Sequence, residues 1–330
     1  MKKTEKKKRA VSMVLAMLSV VMLLGCASQN GKEPEEKGTG QSEGDSTKWT
    51  LGVLYLDQEV LMSYCSAGCK AYAEEHDNVK LVEYNANKDV TTQLKQCENL
   101  ITQGVDAICL TPVDGNGCDQ MISVCEEAGI PLIAFHAFVY GDVLTNVGFN
   151  NVGFGEMQVE QAASLCGKKG NVAIMCGKLD NQNAVERIDG NKKALEKYPD
   201  MEVVDEQVGN WNRDDAMSIA ENWINSGLDI DVIISNNDAM AIGIALAYEN
   251  AGIDRPVIIG VGGTQEGMEA LMDGQMDATV FQPAFQNGYD TMELAIKYLE
   301  GEKLDETYKT DGFLITKENV EELYEETYGE

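Results

Sequence analysis

Apolar and polar positions along this chain follow two periods. From Trp49 onward, short runs of aliphatic and β-branched residues give way to longer stretches in which apolar residues recur every three or four positions. That is the pattern of strands feeding helices. WTLGVLYLD (49–57) reads as a strand, 60–76 as a helix, NVKLVEYNA (78–86) as a strand and 89–103 as a helix, followed by DAICLTP, a helix to Ala128, and PLIAFHAF. The alternation resumes with a helix over 152–166, a strand at NVAIMCG (171–177), a helix over 184–198, a strand at MEVVDEQV (201–208) and a helix over 213–225. DVIIS (231–235), a helix capped by Asp238, VIIGVGG, a helix from Gln265, DATVFQ, a helix over 284–300 and GFLIT (312–316) complete it. Strands alternating with helices imply βαβ units and parallel sheets.

The pattern repeats itself. Asp106 opens DAICLTP and Pro131 of GIPLIAF follows 25 residues later; Asp231 opens DVIISNN and Pro256 of RPVIIGV follows 25 residues later. Two similar α/β halves form a natural clamp for a small molecule; the alternative is one large α/β enzyme domain. Asn236 and Asn237 fall where the carboxyl end of a strand meets a helix amino end, the place where open α/β sheets bind ligands.

The first 48 residues differ. Lys2, Lys3, Lys6, Lys7, Lys8 and Arg9 precede an apolar run from Ala10 to Leu24, short for a membrane span and suited to a signal peptide. Residues 1–25 are therefore expected to be an export signal. Leu23-Leu24-Gly25-Cys26 resembles a bacterial lipobox, which implies cleavage before Cys26 and lipid attachment to its sulfur. Residues 26–48, rich in Gly, Ser, Thr, Glu and Lys and free of aromatic residues up to Lys48, read as a flexible linker.

Charge and cysteine content narrow the chemistry. The chain carries −29, and −34 without residues 1–25, which hold six Lys or Arg and one Glu. Such a surface repels phosphates, so no nucleic-acid partner is expected. Nine cysteines and two histidines include no Cys-x-x-Cys pair. No metal site and no cofactor are expected. Most of the cysteines read as buried free thiols, although Cys65 and Cys69, or Cys118 and Cys125, are spaced so that a disulfide stays open. Neither GxxxxGK[ST] nor GxSxG occurs, which argues against an enzyme of the same outline.

Phrases spread over about 49–320 resemble the type I periplasmic binding proteins of the ribose and galactose kind: VDAICLTPVD, AGIPLIAF, NNVGFG, ERIDGNKKAL, WNRDDAMSIAENWI, SNNDAMAIGIALAYENAG, VIIGVGGTQEG, DATVFQP and ITKENV. The resemblance implies an α/β fold of two Rossmann-like lobes with parallel sheets, joined by three crossovers near Asn150, Gln282 and Gly312. One lobe would take 49–149 plus 283–312, the other 150–282 plus 313–330. It further implies a monomeric, lipid-anchored, extracytoplasmic substrate-binding protein of an ABC importer, with a permease as partner and no catalysis. A ligand-sensing partner of a chemoreceptor or sensor kinase is the alternative role.

Ligand contacts carry over position by position. Arg187 of ERIDG matches an arginine that donates to sugar oxygens, the alternative being a surface ion pair with Glu186 or Asp189. Trp211 of GNWNRDD matches an aromatic on the sugar's apolar face, the alternative being a core tryptophan. Asn237 and Gln282 match amide ligands, Asn237 alternatively only capping its helix; Asn151 and Asn183 match more loosely. The chain also departs from the pattern. Gly262 stands where an aspartate is usual, His136 and Ala137 replace an Asp-Arg pair, and Leu61 and Met62 replace paired aromatics. His136 is thereby the new polar candidate. The departures favour a sugar derivative, polyol, autoinducer-like furanose or nucleoside over an ordinary aldopyranose or ribose. Restoring an aspartate at 262 is expected to alter ligand ranking without weakening the fold.

Overall fold

The computed structural model describes residues 48–328, so the expected signal, the lipidation site Cys26 and nearly all of the linker lie outside the described residues. The chain forms β1 (Trp49–Tyr55), α1 (Val60–Glu75), β2 (Val79–Asn85), α2 (Val90–Gln103), β3 (Ala107–Leu110), α3 (Asp119–Ala128), β4 (Leu132–Phe135) and β5 (Thr145–Phe149). It continues through α4 (Asn151–Cys166), β6 (Gly170–Cys176), α5 (Gln182–Leu195), β7 (Met201–Val208), α6 (Arg213–Ser226), β8 (Val232–Ser235), α7 (Asp238–Ala251), β9 (Val257–Gly262), α8 (Gln265–Met272) and β10 (Ala278–Phe281). Last come α9 (Ala284–Leu299), β11 (Thr307–Thr310), β12 (Phe313–Thr316) and α10 (Val320–Tyr328).

These elements form two lobes. One sheet runs β11-β5-β4-β3-β1-β2, the other β12-β10-β9-β8-β6-β7, and every neighbouring pair is parallel except β10 with β12. The chain passes between the lobes after β5, after β10 and between β11 and β12. Asn150 Nδ2 donates to Asp311 Oδ1 at 2.8 Å, joining the first passage to the third.

The duplicated sequence phrase does the same work in both lobes. Asp106 Oδ2 accepts from Thr50 N at 2.6 Å, and Asp231 Oδ2 accepts from Asn171 N at 2.7 Å, so each aspartate ties its central strand to the first strand of its sheet. The strands that follow, β3 and β8, are buried throughout. Gly129 and Gly252 end the next helices at φ 68° and 66°, a left-handed turn that favours a residue without Cβ.

Each lobe also contains a matching pair of helices in very close contact. In the first, a Cβ on Gly68 of α1 would sit 1.9 Å from Phe285 O, and one on Gly288 of α9 would sit 2.0 Å from Cys65 O. In the second, a Cβ on Gly190 of α5 would sit 2.1 Å from Val152 O, and one on Gly155 of α4 would sit 2.1 Å from Arg187 O. Backbone meets backbone at both crossings, and no larger residue fits.

Three elements escape the sequence pattern. β5 (TNVGF) carries a glycine and little apolar length, β11 (TYKT) is a polar edge strand, and α10 (VEELYEETY) buries only Val320. Asp238 does not cap α7. Asn237 does, its side chain accepting from Met240 N at 2.9 Å, while Asp238 is the first helical residue and turns inward.

Candidate functional site

The carboxyl ends of the strands from the two sheets meet between the lobes, and backbone strain concentrates there. Among the described residues, non-glycine residues with positive φ are Asn87, Lys88, His136, Lys168, Asn210 and Trp211. All but Lys168 follow the carboxyl ends of β2, β4 and β7. Such conformations each cost on the order of 1–3 kcal/mol and gather where a side chain must be aimed.

Arg187 lies at the centre. It is 3% exposed, so the surface ion pair with Glu186 or Asp189 is ruled out. Its Nε donates to Asn151 Oδ1 at 2.9 Å, Nη1 to Asn236 O at 2.5 Å and Nη2 to Gln282 Oε1 at 2.7 Å. Burial pushes its pKa down, opposed by the carboxylates of Asp238 and Glu186. The guanidinium carbon lies 5.5 Å from the Trp211 ring centroid and 5.8 Å from that of Phe154. Trp211 is half-buried, and its ring covers Gly177 so closely that a Cβ there would lie 2.3 Å from it. A flat aromatic face and a forked cation thus stand side by side.

Asn151 and Asn183 lie in the first turns of α4 and α5 and hold each other. Asn151 Nδ2 donates to Asn183 Oδ1 at 2.9 Å, and Asn183 Nδ2 reaches the carbonyl of His136, in the other lobe, at 3.2 Å. Asn237, besides capping α7, donates from Nδ2 to Trp211 O at 3.2 Å and so props the strained turn beneath the aromatic ring. Arg187, Asn151, Asn183, Gln282 and His136 therefore form one connected set, with Trp211 against Arg187 and Asn237 behind Trp211.

His136 ends β4 at φ 65°, held by N–H donation to Val147 O at 3.0 Å. Its ring stands edge-on to Phe149, with centroids 5.4 Å apart. Burial, aided by the positive charge of Arg187 across the cleft, lowers its pKa to about 3. The imidazole is neutral at any pH near 7.

Farther out, two further contacts span the lobes, linked through one within α5. Tyr140 OH donates to Gln182 Oε1 at 2.5 Å, Gln182 Nε2 to Glu186 Oε1 at 3.3 Å, and Lys309 Nζ lies 2.9 Å from the same Glu186 oxygen.

Gly262 requires a correction. Its φ is 149°, and a Cβ would lie 2.7 Å from Asp238 Oδ2. That oxygen accepts from Thr264 N at 3.1 Å and Thr264 Oγ1 at 3.2 Å, while Oδ1 accepts from Thr279 Oγ1 at 2.5 Å. Aspartate at 262 would place a second carboxylate against a buried one on a backbone suited to glycine, so the expectation that it leaves the fold intact fails. Of the residues replacing paired aromatics, Met62 is buried in the first lobe's core and Leu61 is half-buried.

The sequence placed Asn236 at a ligand-binding strand end without giving it a contact, and it did not single out Asp57. Asn236 is fully buried; its carbonyl serves Arg187, its Oδ1 accepts from Gly177 N at 3.0 Å, and its Nδ2 has no hydrogen-bond partner among the described residues. The doubled asparagine in SNND and its place at the end of a strand were the signals. Asp57, after β1, is 9% exposed, accepts from Glu59 N at 3.0 Å and lies 3.5 Å from Lys88 Nζ. Its position after a strand end was the available clue.

All eight cysteines among the described residues are free, and all but Cys166 are buried. Cys97 and Cys125 come closest, Sγ to Sγ 3.5 Å, a pairing that the spacing did not suggest. Among the described residues, no cluster of three or more His, Cys, Asp or Glu is arranged to hold a metal ion, and no helix is long and apolar enough to cross a membrane.

A family model for the periplasmic binding protein domain matches residues 54–303. The chain is 32% identical over 290 residues to the xylitol-binding protein of Mycolicibacterium smegmatis, covering 86% of this chain and 82% of that protein. It is 34% identical over 265 residues to a putative rhizopine-binding protein of Rhizobium meliloti, covering 78% and 86%. Among solved structures, an ABC transporter solute binding protein from Bacillus halodurans with bound myo-inositol superimposes with a TM-score of 0.79 at 33% identity, covering 86% of this chain and 99% of that one. The chain belongs to the periplasmic binding protein family, type I, the solute-binding proteins of ABC importers.

Proposed function

We propose that this periplasmic binding protein captures a neutral polyol, an alditol or cyclitol, between its lobes and delivers it to an ABC permease. The observation that carries the reading is Arg187, a buried guanidinium joined to Asn151, Asn236 and Gln282 and set beside the face of Trp211. Its three bonds leave one N–H on each terminal nitrogen for ligand oxygens, and forked donors of this kind suit adjacent hydroxyls. The Trp211 face suits the C–H surface of a polyol. Glycine at 262 removes the carboxylate that would otherwise accept hydroxyl protons, which favours a ligand class other than ordinary ribose or aldohexose. Relatives named for xylitol and solved with myo-inositol lie at 32% and 33% identity.

The two lobes, 49–149 with 283–312 and 150–282 with 313–330, rock about the three passages, and the ligand binds the closed arrangement better and shifts the population toward it. Closure is what the permease reads. Cys26 carries the lipid that holds the protein outside the membrane, residues 26–48 serve as tether, and the chain acts as a monomer without cofactor or turnover. Cys26→Ser should release or misprocess the protein; membrane retention at wild-type level would rule out the anchor.

A thermal-shift comparison tests the ligand. A compound at about 100 times its dissociation constant adds about 2.7 kcal/mol to the folded state, so myo-inositol or xylitol should raise the melting temperature while ribose and glucose leave it nearly unmoved. A large shift with ribose or glucose alone would overturn the polyol reading.

A further inference from the structure

The chain's two histidines are held in opposite ways. His76 Nδ1 lies 2.7 Å from the carbonyl of Tyr72, which can only accept, so in His76 the proton sits on Nδ1. His136 Nδ1 lies 3.5 Å from Cys65 Sγ instead. Cys65 is fully buried on α1, and burial raises its pKa well above the ordinary thiol value, so it keeps its proton. Between a thiol and a neutral imidazole, S–H donation to the ring nitrogen is the better pairing. The reverse would spend a good N–H donor on a weak sulfur acceptor.

We propose that Cys65 is a positioning residue of the ligand site: its thiol donates to Nδ1 of His136, fixes the ring proton on Nε2, and makes the imidazole a hydrogen-bond donor toward a ligand oxygen. The rest of His136 is already constrained. Val147 O holds its N–H, Asn183 holds its carbonyl, and Phe149 packs edge-on to its ring. The tautomer is the remaining freedom, and Cys65 removes it. Arg187 then donates from one lobe and His136 from the other, so a polyol oxygen offered to both bridges the lobes as an acceptor. The inference rests on reading the cleft as a polyol site.

The test begins with ligand-free protein carrying ¹⁵N-labelled histidine, in which two-bond nitrogen–proton couplings report each tautomer. His136 should show the Nε2–H pattern and His76 the Nδ1–H pattern. Cys65→Ala should give His136 a mixture of tautomers and weaken binding of myo-inositol, or of xylitol if that is the tighter probe, about two- to tenfold, the usual worth of one neutral hydrogen bond. Cys65→Ser, which keeps a donor, should recover most of both. A residue that merely fills space would lower the melting temperature without moving the tautomer. An Nδ1–H pattern for His136 in the wild type, or an unchanged pattern in Cys65→Ala, overturns the proposal; should Cys65→Ala fail to fold, the wild-type spectrum decides. Should neither polyol bind, the functional reading falls while the ligand-free spectrum still tests the role of Cys65.

Discussion

Gly288 rests on the carbonyl of Cys65 in the first lobe, and Gly155 rests on the carbonyl of Arg187 in the second. Gly68 and Gly190, each three residues farther along, complete the two crossings. The correspondence extends one residue beyond: Asn191 Nδ2 donates to Gly155 O at 3.0 Å, and Cys69 Sγ donates to Gly288 O at 3.5 Å. Cys65 and Arg187 therefore occupy equivalent places in the two halves, as do Leu61 and Asn183, four residues before each. One scaffold carries a thiol and a leucine on one wall of the cleft and a guanidinium and an amide on the other. Duplication fixed the backbone, and side-chain divergence made the second lobe the strongly polar wall.

The comparison can be broken most forcefully at the crossings. Gly288→Ala and Gly155→Ala each force a methyl into a carbonyl, and overpacking of this kind costs about 1–3 kcal/mol or more. Both should lower the melting temperature; Gly155→Ala, which presses on the carbonyl of Arg187, should weaken ligand binding more than Gly288→Ala, which presses on that of Cys65. Equal binding losses in both would make the lobes equivalent after all.

Arg187→Ala removes the polar wall itself. Losing a hydrogen-bonding charged donor costs about 1.5–3 kcal/mol, roughly ten- to hundredfold in affinity, and calorimetry would read it. Trp211→Ala should lose on a similar scale, and tight binding retained in both variants would displace the site.

The neutral imidazole gives a pH signature. The unfolded chain takes up a histidine proton near pH 6.5, the folded protein at His136 only near about 3. Below pH 6.5 the unfolded state therefore binds more protons, so this contribution to stability is complete above 6.5 and lost as pH falls toward about 3. His136→Gln should flatten the fall in melting temperature over that window.

The smallest effect belongs to the rim. Lys309 pairs with Glu186 across the lobes with 37% of its side chain exposed, and such pairs contribute about 0–1 kcal/mol. Lys309→Ala should change affinity no more than a few-fold, with most of the change in the dissociation rate.

Much of the fold was legible because its signals are local. Buried four-residue strands, asparagine caps and glycine stops appear as composition and spacing, and the Asp106 and Asp231 phrases announced the duplication. TYKT escaped because an exposed edge strand buries too little to leave an apolar period. At the site, Arg187, Gln282, Asn151 and Asn183 were nameable singly, but their mutual bonds depend on contacts spanning 32 to 95 residues, which no short-range pattern encodes. The cost of a side chain at Gly262 was equally hidden, since it arises from Asp238, which looked like a cap and is a buried acceptor for two threonines.

The unpartnered amide nitrogen of Asn236 has a calorimetric consequence. A buried donor left without an acceptor costs about 1–3 kcal/mol, and Asn236 Nδ2 meets no acceptor among the described residues. A ligand oxygen that reached the nitrogen would supply the missing acceptor, and the gain would appear as heat released on binding. A deoxy analogue lacking a hydroxyl at that place would forfeit the gain although it fits the same space, a difference in binding heat that shape alone does not produce.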